Sequence, residues 1–189
     1  MIPKQLWQAA RNLDDFLNQA GYRYCLIGGI AIQRWGEPRM TTDVDATVFA
    51  QIGSERPVIS ALLTRYQARI PDALDFALQA RVLLLQDLAG CPLDIGLGCL
   101  DFEDRMLVRS SVWGTPGHGR IRTCSAEDLV VLKAFANRPQ DWIDIERVII
   151  RQGPRLDRQL ILQELTPLAE LKEDPQILQD LLQLLSLDR

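Results

Sequence analysis

The stretch from Tyr24 to Val48 constrains the fold of this chain more than any other part of its sequence. It opens with residues 24–27, a short apolar run typical of a buried strand, and Gly28-Gly29 ends that run where a helix begins. Glycine has no Cβ, and the first N–H groups of a helix carry partial positive charge, so this junction suits a bound phosphate. A plain tight turn is the alternative interpretation of the same two residues.

The second half of this stretch has polar side chains at every other position. Residues two apart in a strand share a face, so two carboxylates spaced in this way lie about 7 Å apart along the backbone. A divalent cation with oxygen ligands would relieve the repulsion between them. A half-exposed edge strand with a solvated outer face is the alternative. The spaced polar residues are Arg39, Thr41, Asp43 and Asp45.

In this order, the glycine pair and the spaced polar residues resemble the signature of the nucleotidyltransferase superfamily. That signature is a hydrophobic run, Gly-Gly or Gly-Ser, a short helix, and Asp-x-Asp on the next strand. The Arg-x-Thr-x-Asp-x-Asp form is similar to the branch containing the AbiEii-type abortive-infection and type IV toxin–antitoxin nucleotidyltransferases. The resemblance implies an α/β (α+β) fold of the polymerase-β-like kind, in which helices flank a small mixed sheet and a helical part follows.

The resemblance also implies roles for these residues. Gly28 and Gly29 would hold the phosphates of a nucleoside triphosphate, and Arg39 and Thr41 would contact the nucleotide. The two aspartates, Asp43 and Asp45, would bind Mg²⁺ or Mn²⁺. Many members of the superfamily carry serine at the second glycine, so a hydroxyl contact to phosphate is missing here.

A third carboxylate follows from the next pair of predicted strands. Residues Arg81–Gln86 and residues 92–98 read as two strands joined by a turn, and Asp94 is the polar residue in the middle of the second. Burying an unpaired carboxylate costs several kcal/mol, so Asp94 is either a surface residue or part of a site. The family resemblance implies that it is the third metal-binding and catalytic carboxylate, on a strand next to the Asp-x-Asp strand.

The helices that follow resemble the recurring C-terminal element of the same family. Ser125 is a predicted N-cap, and the sequence EDLVVLKAFANRPQDWIDIE continues from residue 127 to residue 146. The resemblance places Lys133, Arg138, Asp141 and Asp144 beside the nucleotide. Two structural alternatives exist, because Asp141 could cap a helix start and the Lys133 side chain could extend along an apolar face.

Composition restricts the classes of protein. The chain has 189 residues, four cysteines without CxxC spacing and a single histidine, His118, which do not predict a zinc site. A net charge of −4 gives no overall attraction for nucleic acid. We find neither a signal peptide nor an apolar run of about 18 residues, and we expect a cytoplasmic protein with no membrane partner. His118 lies in a glycine-rich turn and is either solvated or catalytic.

Hydrophobic periodicity predicts helices before and after the glycine–aspartate stretch. We expect a nucleotidyltransferase core over residues 1–124 and a helical part over residues 125–189, packed on that core. The predicted helices cover residues 4–20, 57–70, 72–79 and 101–108, two helices from Ser125 to Gly153, and two more between Arg155 and Leu187.

The sequence therefore predicts a metal-dependent nucleotidyltransferase that moves a nucleotide from an NTP to a hydroxyl acceptor such as tRNA or a protein. A toxin of a toxin–antitoxin or phage-defence system, with a cognate antitoxin as partner, is the more specific hypothesis. The alternative is a catalytically silent protein of the same fold that binds a nucleotide or a partner. Three intact aspartates argue against the silent protein, and the lack of a separate acceptor-binding domain argues for it.

Overall fold

The computed structural model of the chain describes residues 2–115, 117 and 119–187; His118 lies outside them. The described residues form two compact units, one within residues 1–30 and 40–124 and the other within residues 31–39 and 125–189. The strands are β1 (Tyr24–Leu26), β2 (Val44–Phe49), β3 (Gln67–Ala68), β4 (Val82–Gln86), β5 (Pro92–Gly98), β6 (Ser111–Thr115) and β7 (Gly119–Thr123). The helices are α1 (Lys4–Gln19), α2 (Gly28–Trp35), α3 (Arg56–Arg65), α4 (Ala73–Ala80), α5 (Asp101–Arg109), α6 (Ala126–Ala136), α7 (Pro139–Gln152), α8 (Arg158–Leu171) and α9 (Gln176–Leu187).

A seven-stranded mixed sheet is the centre of the first unit. Its strand order is β3-β4-β5-β2-β1-β7-β6. Strand β2 pairs in parallel with β5 and antiparallel with β1, and β1 pairs in parallel with β7. The β4–β5 pair is antiparallel, as the sequence predicts for this hairpin. The predicted fold class, a mixed sheet with flanking helices, is confirmed.

Helix α1 covers part of this sheet with one apolar face. Its buried residues recur every three or four positions, which is the spacing of one helix face. They belong to an apolar cluster that includes side chains of β1, β2, β4 and β5. Burying one such leucine contributes about 1.5–3 kcal/mol, so the cluster holds the central strands in place. The buried residues of α1 are Leu6, Trp7, Ala9, Ala10, Leu13 and Leu17.

The predicted helix over residues 57–70 is wrong at its C-terminal end. Helix α3 ends at Arg65, because Tyr66 has the extended conformation φ −124°, ψ 153°. The following residues pair with β4 instead, with Ala68 opposite Leu85. The backbone N–H of Arg69 then donates to the Leu84 carbonyl at 3.0 Å. Ladder hydrogen bonds to β4 therefore replace the helix here.

The predicted strand that begins at Arg39 and runs to Val48 is also wrong in its first half. Strand β2 begins at Val44, whose ladder partner on β5 is Leu93. The next residue of β5 toward this end is Pro92, which has no backbone N–H to continue the ladder. Asp43 therefore precedes the strand, and Asp45 lies within it.

The second unit consists of four helices and the segment Ala31–Arg39. Ser125 caps α6 as predicted, because its hydroxyl accepts the Asp128 N–H at 3.0 Å. Helix α7 holds the Ala31–Arg39 segment through side-chain donors at its C-terminal end. The Gln152 amide donates to the Trp35 carbonyl at 2.6 Å, and Arg151 donates to the Gly36 carbonyl. Among the helices of residues 2–115 and 119–187, none is both long and apolar enough to cross a membrane.

Candidate functional site

Three carboxylates converge in the first unit. Asp45 on β2 and Asp94 on β5 are direct partners in the parallel ladder, and side chains of such partners project from the same face of a sheet. Asp43 lies just before β2 and accepts a hydrogen bond of 2.9 Å from the Thr41 hydroxyl. One carboxylate oxygen from each of the three aspartates lies within 4.8 Å of the other two.

Charge repulsion and partial burial act together at Asp94. Burial raises the pKa of Asp94, the nearby charge of Asp43 raises it further, and Arg69 opposes both effects by lowering it. The net direction is upward, so the ionised form of Asp94 is disfavoured at this position unless further positive charge is added. Hard carboxylate oxygens at this spacing are the ligands that Mg²⁺ and Mn²⁺ prefer. The residues present therefore fit a divalent cation.

The glycine turn packs against Asp45 and Thr41 through space that a side chain would fill. A Cβ on Gly28 would lie 2.7 Å from the carboxyl carbon of Asp45, and Gly28 has a left-handed φ of +54°. A Cβ on Gly29 would lie 2.6 Å from the Cβ of Thr41. Real Cβ contacts are essentially never shorter than 3.0 Å, so both positions need glycine for packing.

The same turn is joined to β2 by a backbone hydrogen bond. The N–H of Ile27 donates to the Asp45 carbonyl at 2.9 Å. Helix α2 begins at Gly28, so the first N–H groups of this helix lack intrahelical acceptors and suit an anion. Gly28, Gly29, Thr41, Asp43, Asp45 and Asp94 all belong to the first unit.

The remaining predicted nucleotide ligands form a buried charge network in the second unit. Arg39 donates to both carboxylate oxygens of Asp144, with its Nε and Nη2 each at 2.9 Å from an oxygen. Lys133 lies between the two acids, with Nζ at 2.7 Å from Asp144 and at 2.9 Å from Asp141. Arg138 closes the series with its Nε at 2.6 Å from Asp141.

This network keeps its carboxylates ionised although they are buried. Burial alone would raise the pKa of Asp144, but hydrogen bonds from Arg39 and Lys133 outweigh burial and lower it. At Asp141, burial is likewise outweighed by hydrogen bonds from Arg138 and Lys133, and the pKa is again lowered. Asp141 also accepts a long hydrogen bond of 3.4 Å from the Arg138 backbone N–H at the start of α7.

The structure thus divides the predicted site residues between two clusters. The three aspartates lie together with the glycine turn and Thr41, whereas Arg39, Lys133, Asp141 and Asp144 bind one another. Asp141 contacts the start of α7 as the capping alternative predicts, whereas the Lys133 ammonium is buried between two acids and does not extend along an apolar face. Nucleotide contact by members of the second cluster stays a prediction.

The sequence does not predict that Arg69 lies beside the carboxylate cluster. Arg69 forms an ion pair with Asp94, although the sequence suggested that it lies near the end of a helix. The signal that identifies it is the alternation of Tyr66, Ala68 and Ile70 with polar residues, which is the period of a strand. The period indicates a strand but not its partner; the structure shows that the backbone of Arg69 bonds to β4, on the row that carries Asp94.

Comparisons with known proteins agree with the fold. No family model matches this sequence, and no curated protein matches it significantly. The chain is similar to the solution structure of the antibiotic-resistance factor ANT(2'')-Ia, with a TM-score of 0.53 and 15% identity over 89% of this chain and 92% of that one. This likeness shows that the chain has a nucleotidyltransferase-like fold.

Two further solved structures are similar at lower scores. An antigenic nucleotidyltransferase-like protein from Paracoccidioides brasiliensis has a TM-score of 0.49 and 16% identity, over 93% of this chain and 91% of that one. The lincosamide antibiotic adenylyltransferase LnuA, bound to lincomycin, has a TM-score of 0.47 and 16% identity, over 75% of this chain and 94% of that one.

Proposed function

We propose that the chain is a metal-dependent nucleotidyltransferase that transfers a nucleoside monophosphate from an NTP to a hydroxyl acceptor. The observation that carries the proposal is that one carboxylate oxygen from each of Asp43, Asp45 and Asp94 lies within 4.8 Å of the other two, with Asp45 directly against Gly28. Three carboxylate oxygens can bind the metal ion of a metal-bound triphosphate, and the helix N-terminus beside them can bind its phosphate groups. The fold shared with ANT(2'')-Ia agrees with this proposal.

In this proposal the three aspartates hold Mg²⁺ or Mn²⁺. When bound, such a cation neutralises negative charge on the phosphoryl oxygens, on the attacking acceptor oxygen and on the bridging oxygen of the leaving pyrophosphate. The backbone N–H groups at the start of α2 bind phosphate oxygens of the triphosphate. Thr41 orients Asp43 through their 2.9 Å hydrogen bond, which keeps that carboxylate at the site.

Asp94 is the residue that we assign to proton transfer. Its side chain is 34% exposed and lies with the other two aspartates, so an acceptor hydroxyl can reach its carboxylate from solvent. The acceptor oxygen attacks the α-phosphorus while its proton passes to Asp94. The bond between the α-phosphorus and the bridging oxygen breaks, and pyrophosphate leaves with that electron pair.

The acceptor and the biological setting belong to the same proposal. The resemblance of the Arg-x-Thr-x-Asp-x-Asp stretch to the AbiEii-type branch makes tRNA and protein hydroxyls the first acceptors to test, and a cognate antitoxin the partner to seek. A cytoplasmic toxin or phage-defence protein would act on such acceptors. An antibiotic with free hydroxyl groups is a third acceptor class to test, because ANT(2'')-Ia is an antibiotic-resistance factor.

The deciding experiment compares two positions of the label in the NTP. The protein is incubated with α-³²P-labelled NTPs, Mg²⁺ or Mn²⁺ and either total RNA, protein extract or hydroxylated antibiotics. Nucleotidyl transfer leaves label on the acceptor, whereas γ-labelled NTP leaves none, because the γ-phosphate departs with pyrophosphate. Label from the γ-position would indicate a phosphotransferase instead.

The double variant Asp43→Asn/Asp45→Asn is the matched control. Metal with a non-hydrolysable NTP should raise the melting temperature of the wild type by mass action and leave that of the double variant unchanged. The metal-free double variant should be at least as stable as the wild type, because it loses a pair of like charges. Stabilisation without label transfer to any acceptor would favour the catalytically silent binding protein.

A further inference from the structure

An arginine forms an ion pair with Asp94, the third carboxylate of the cluster. Arg69 donates from its guanidinium to Oδ1 of Asp94, and the two side chains are 28% and 34% exposed. Because both partners are partly open to solvent, a dissolved ion can approach Asp94 and the arginine can leave it. Nothing in the sequence resemblance assigns a role to Arg69.

The sheet places Arg69 on the same row as the aspartates. Its backbone N–H donates to the carbonyl of Leu84 at 3.0 Å, Leu84 is the ladder partner of Asp94, and Asp94 is the ladder partner of Asp45. Neighbouring strands are about 4.8 Å apart, so the backbones of Arg69 and Asp94 are separated by about 10 Å. The arginine side chain therefore has to extend across the intervening strand to make this contact.

This contact and a bound cation compete for the same carboxylate group. Three carboxylate oxygens lie within 4.8 Å of one another, and Asp45 and Asp94 are held on adjacent strands by a ladder that runs from Val44 to Phe49. A guanidinium at Asp94 repels a divalent cation that approaches this small volume, and it uses lone pairs that the cation would need. The ladder fixes the Asp94 backbone beside Asp45, so the positive charge of Arg69 stays close to the cluster while the ion pair is formed.

We propose that Arg69 is the counter-ion of Asp94 in the metal-free protein and that a divalent cation displaces it when the site loads. Arg69 is then a positioning residue that acts through Asp94, and it lowers the affinity of the cluster for metal alone. The inference rests on the proposed function, because it assumes that the three aspartates bind a cation. It goes beyond that function by assigning the residue that controls access to the third ligand.

The test is titration of the nucleotide-free protein with Mn²⁺, with free Mn²⁺ measured by electron paramagnetic resonance. Arg69→Met removes the charge but keeps a long unbranched side chain over the middle strand. We expect it to bind Mn²⁺ about tenfold more tightly than the wild type at low salt, because the arginine no longer competes with Mn²⁺ for the Asp94 carboxylate through charge-assisted hydrogen bonds. The ratio should fall at high ionic strength, because the pair is partly exposed.

A charge-matched control separates this effect from the change in net charge. Arg23→Met also removes one arginine from an ion pair, with Asp104, at the opposite end of the central strands. Phe49, whose N–H bonds the Arg23 carbonyl, is four residues from Asp45, about 13 Å along β2. Arg23→Met should leave Mn²⁺ affinity within twofold of the wild type. Arg69→Gln provides a second neutral side chain if Arg69→Met does not fold.

The same titration in an Asp94→Asn background completes the test. There, Arg69→Met should change Mn²⁺ affinity by less than twofold, since the contested carboxylate is gone. Unchanged or weaker Mn²⁺ binding by Arg69→Met would overturn the inference and leave the proposed function standing. The same conclusion would follow if Arg69→Met raised Mn²⁺ affinity as much in the Asp94→Asn background as in the wild type. Absence of Mn²⁺ binding in the wild type and in every variant would overturn both.

Discussion

Lys133 is buried between two carboxylates, and replacing it with methionine should destabilise the chain. The residue is 6% exposed, and its Nζ lies 2.7 Å from Asp144 and 2.9 Å from Asp141. Removing one partner of a buried ion pair typically costs 3–5 kcal/mol, because a buried charge is left uncompensated. Each carboxylate keeps one arginine here, Arg39 or Arg138, so we expect the low end of that range, about 3 kcal/mol.

The pH dependence provides the signature of this mechanism. The pKa values of Asp141 and Asp144 are lowered in the folded chain by the hydrogen bonds that outweigh burial. A lowered pKa contributes stability above the unfolded value of about 3.9, and this contribution is lost as the pH falls through the folded value. The stability difference between the wild type and Lys133→Met should therefore be largest near neutral pH and narrow below about pH 4.

Thermal unfolding followed by circular dichroism measures this directly. For a chain of this length, about 3 kcal/mol corresponds to a loss of about 6–12 °C in melting temperature. Lys4→Met, at an exposed position at the start of α1, is the control and should change stability by less than about 0.5 kcal/mol. The reasoning fails if Lys133→Met costs no more than this control, or if its cost grows as the pH falls.

Two further predictions concern the carboxylate cluster. Gly28→Ala should weaken Mn²⁺ binding at least tenfold, because the added Cβ displaces the Asp45 carboxylate. The control Gly21→Ala, at a left-handed φ of +73° with open space around it, should cost about 1–2 kcal/mol of stability and leave Mn²⁺ binding unchanged. Equal Mn²⁺ affinities for the two variants would contradict the packing argument. Asp94→Asn should bind NTP within a few-fold of the wild type yet lose about 10²-fold in transfer rate, because a group that acts in the transition state contributes little to ground-state affinity; full activity would show that Asp94 takes no part in the reaction.

Local patterns predicted the parts of the fold that depend on neighbours in sequence. The periodicity of α1, the Ser125 cap and the hairpin that carries Asp94 all follow from residues within one or two turns of each other. Period two also predicts strand β2, but not where it begins. Its start depends on Pro92 of the partner strand, which is distant in sequence. The alternation of polar residues therefore predicts a strand position for Asp43, which in the structure precedes β2.

The candidate site shows the same division between local and non-local information. The type and spacing of the aspartates predicted a cation site, but the pairing of Asp45 with Asp94 depends on the β2–β5 register, which no local pattern specifies. The family resemblance selected Lys133, Asp141 and Asp144 but did not predict that their charges compensate each other. Such compensation depends on how α6 and α7 pack, which is a tertiary property.

The close approach of Gly28 to the Asp45 carboxyl group limits the length of the acid that this position can hold. Because the carboxylate already lies against the first residue of α2, glutamate would have to place an additional methylene group where the helix backbone begins. The longer acid could fit only by turning away from the other two carboxylates. The glycine at the start of the helix thus explains why β2 carries aspartate, and not glutamate, at position 45.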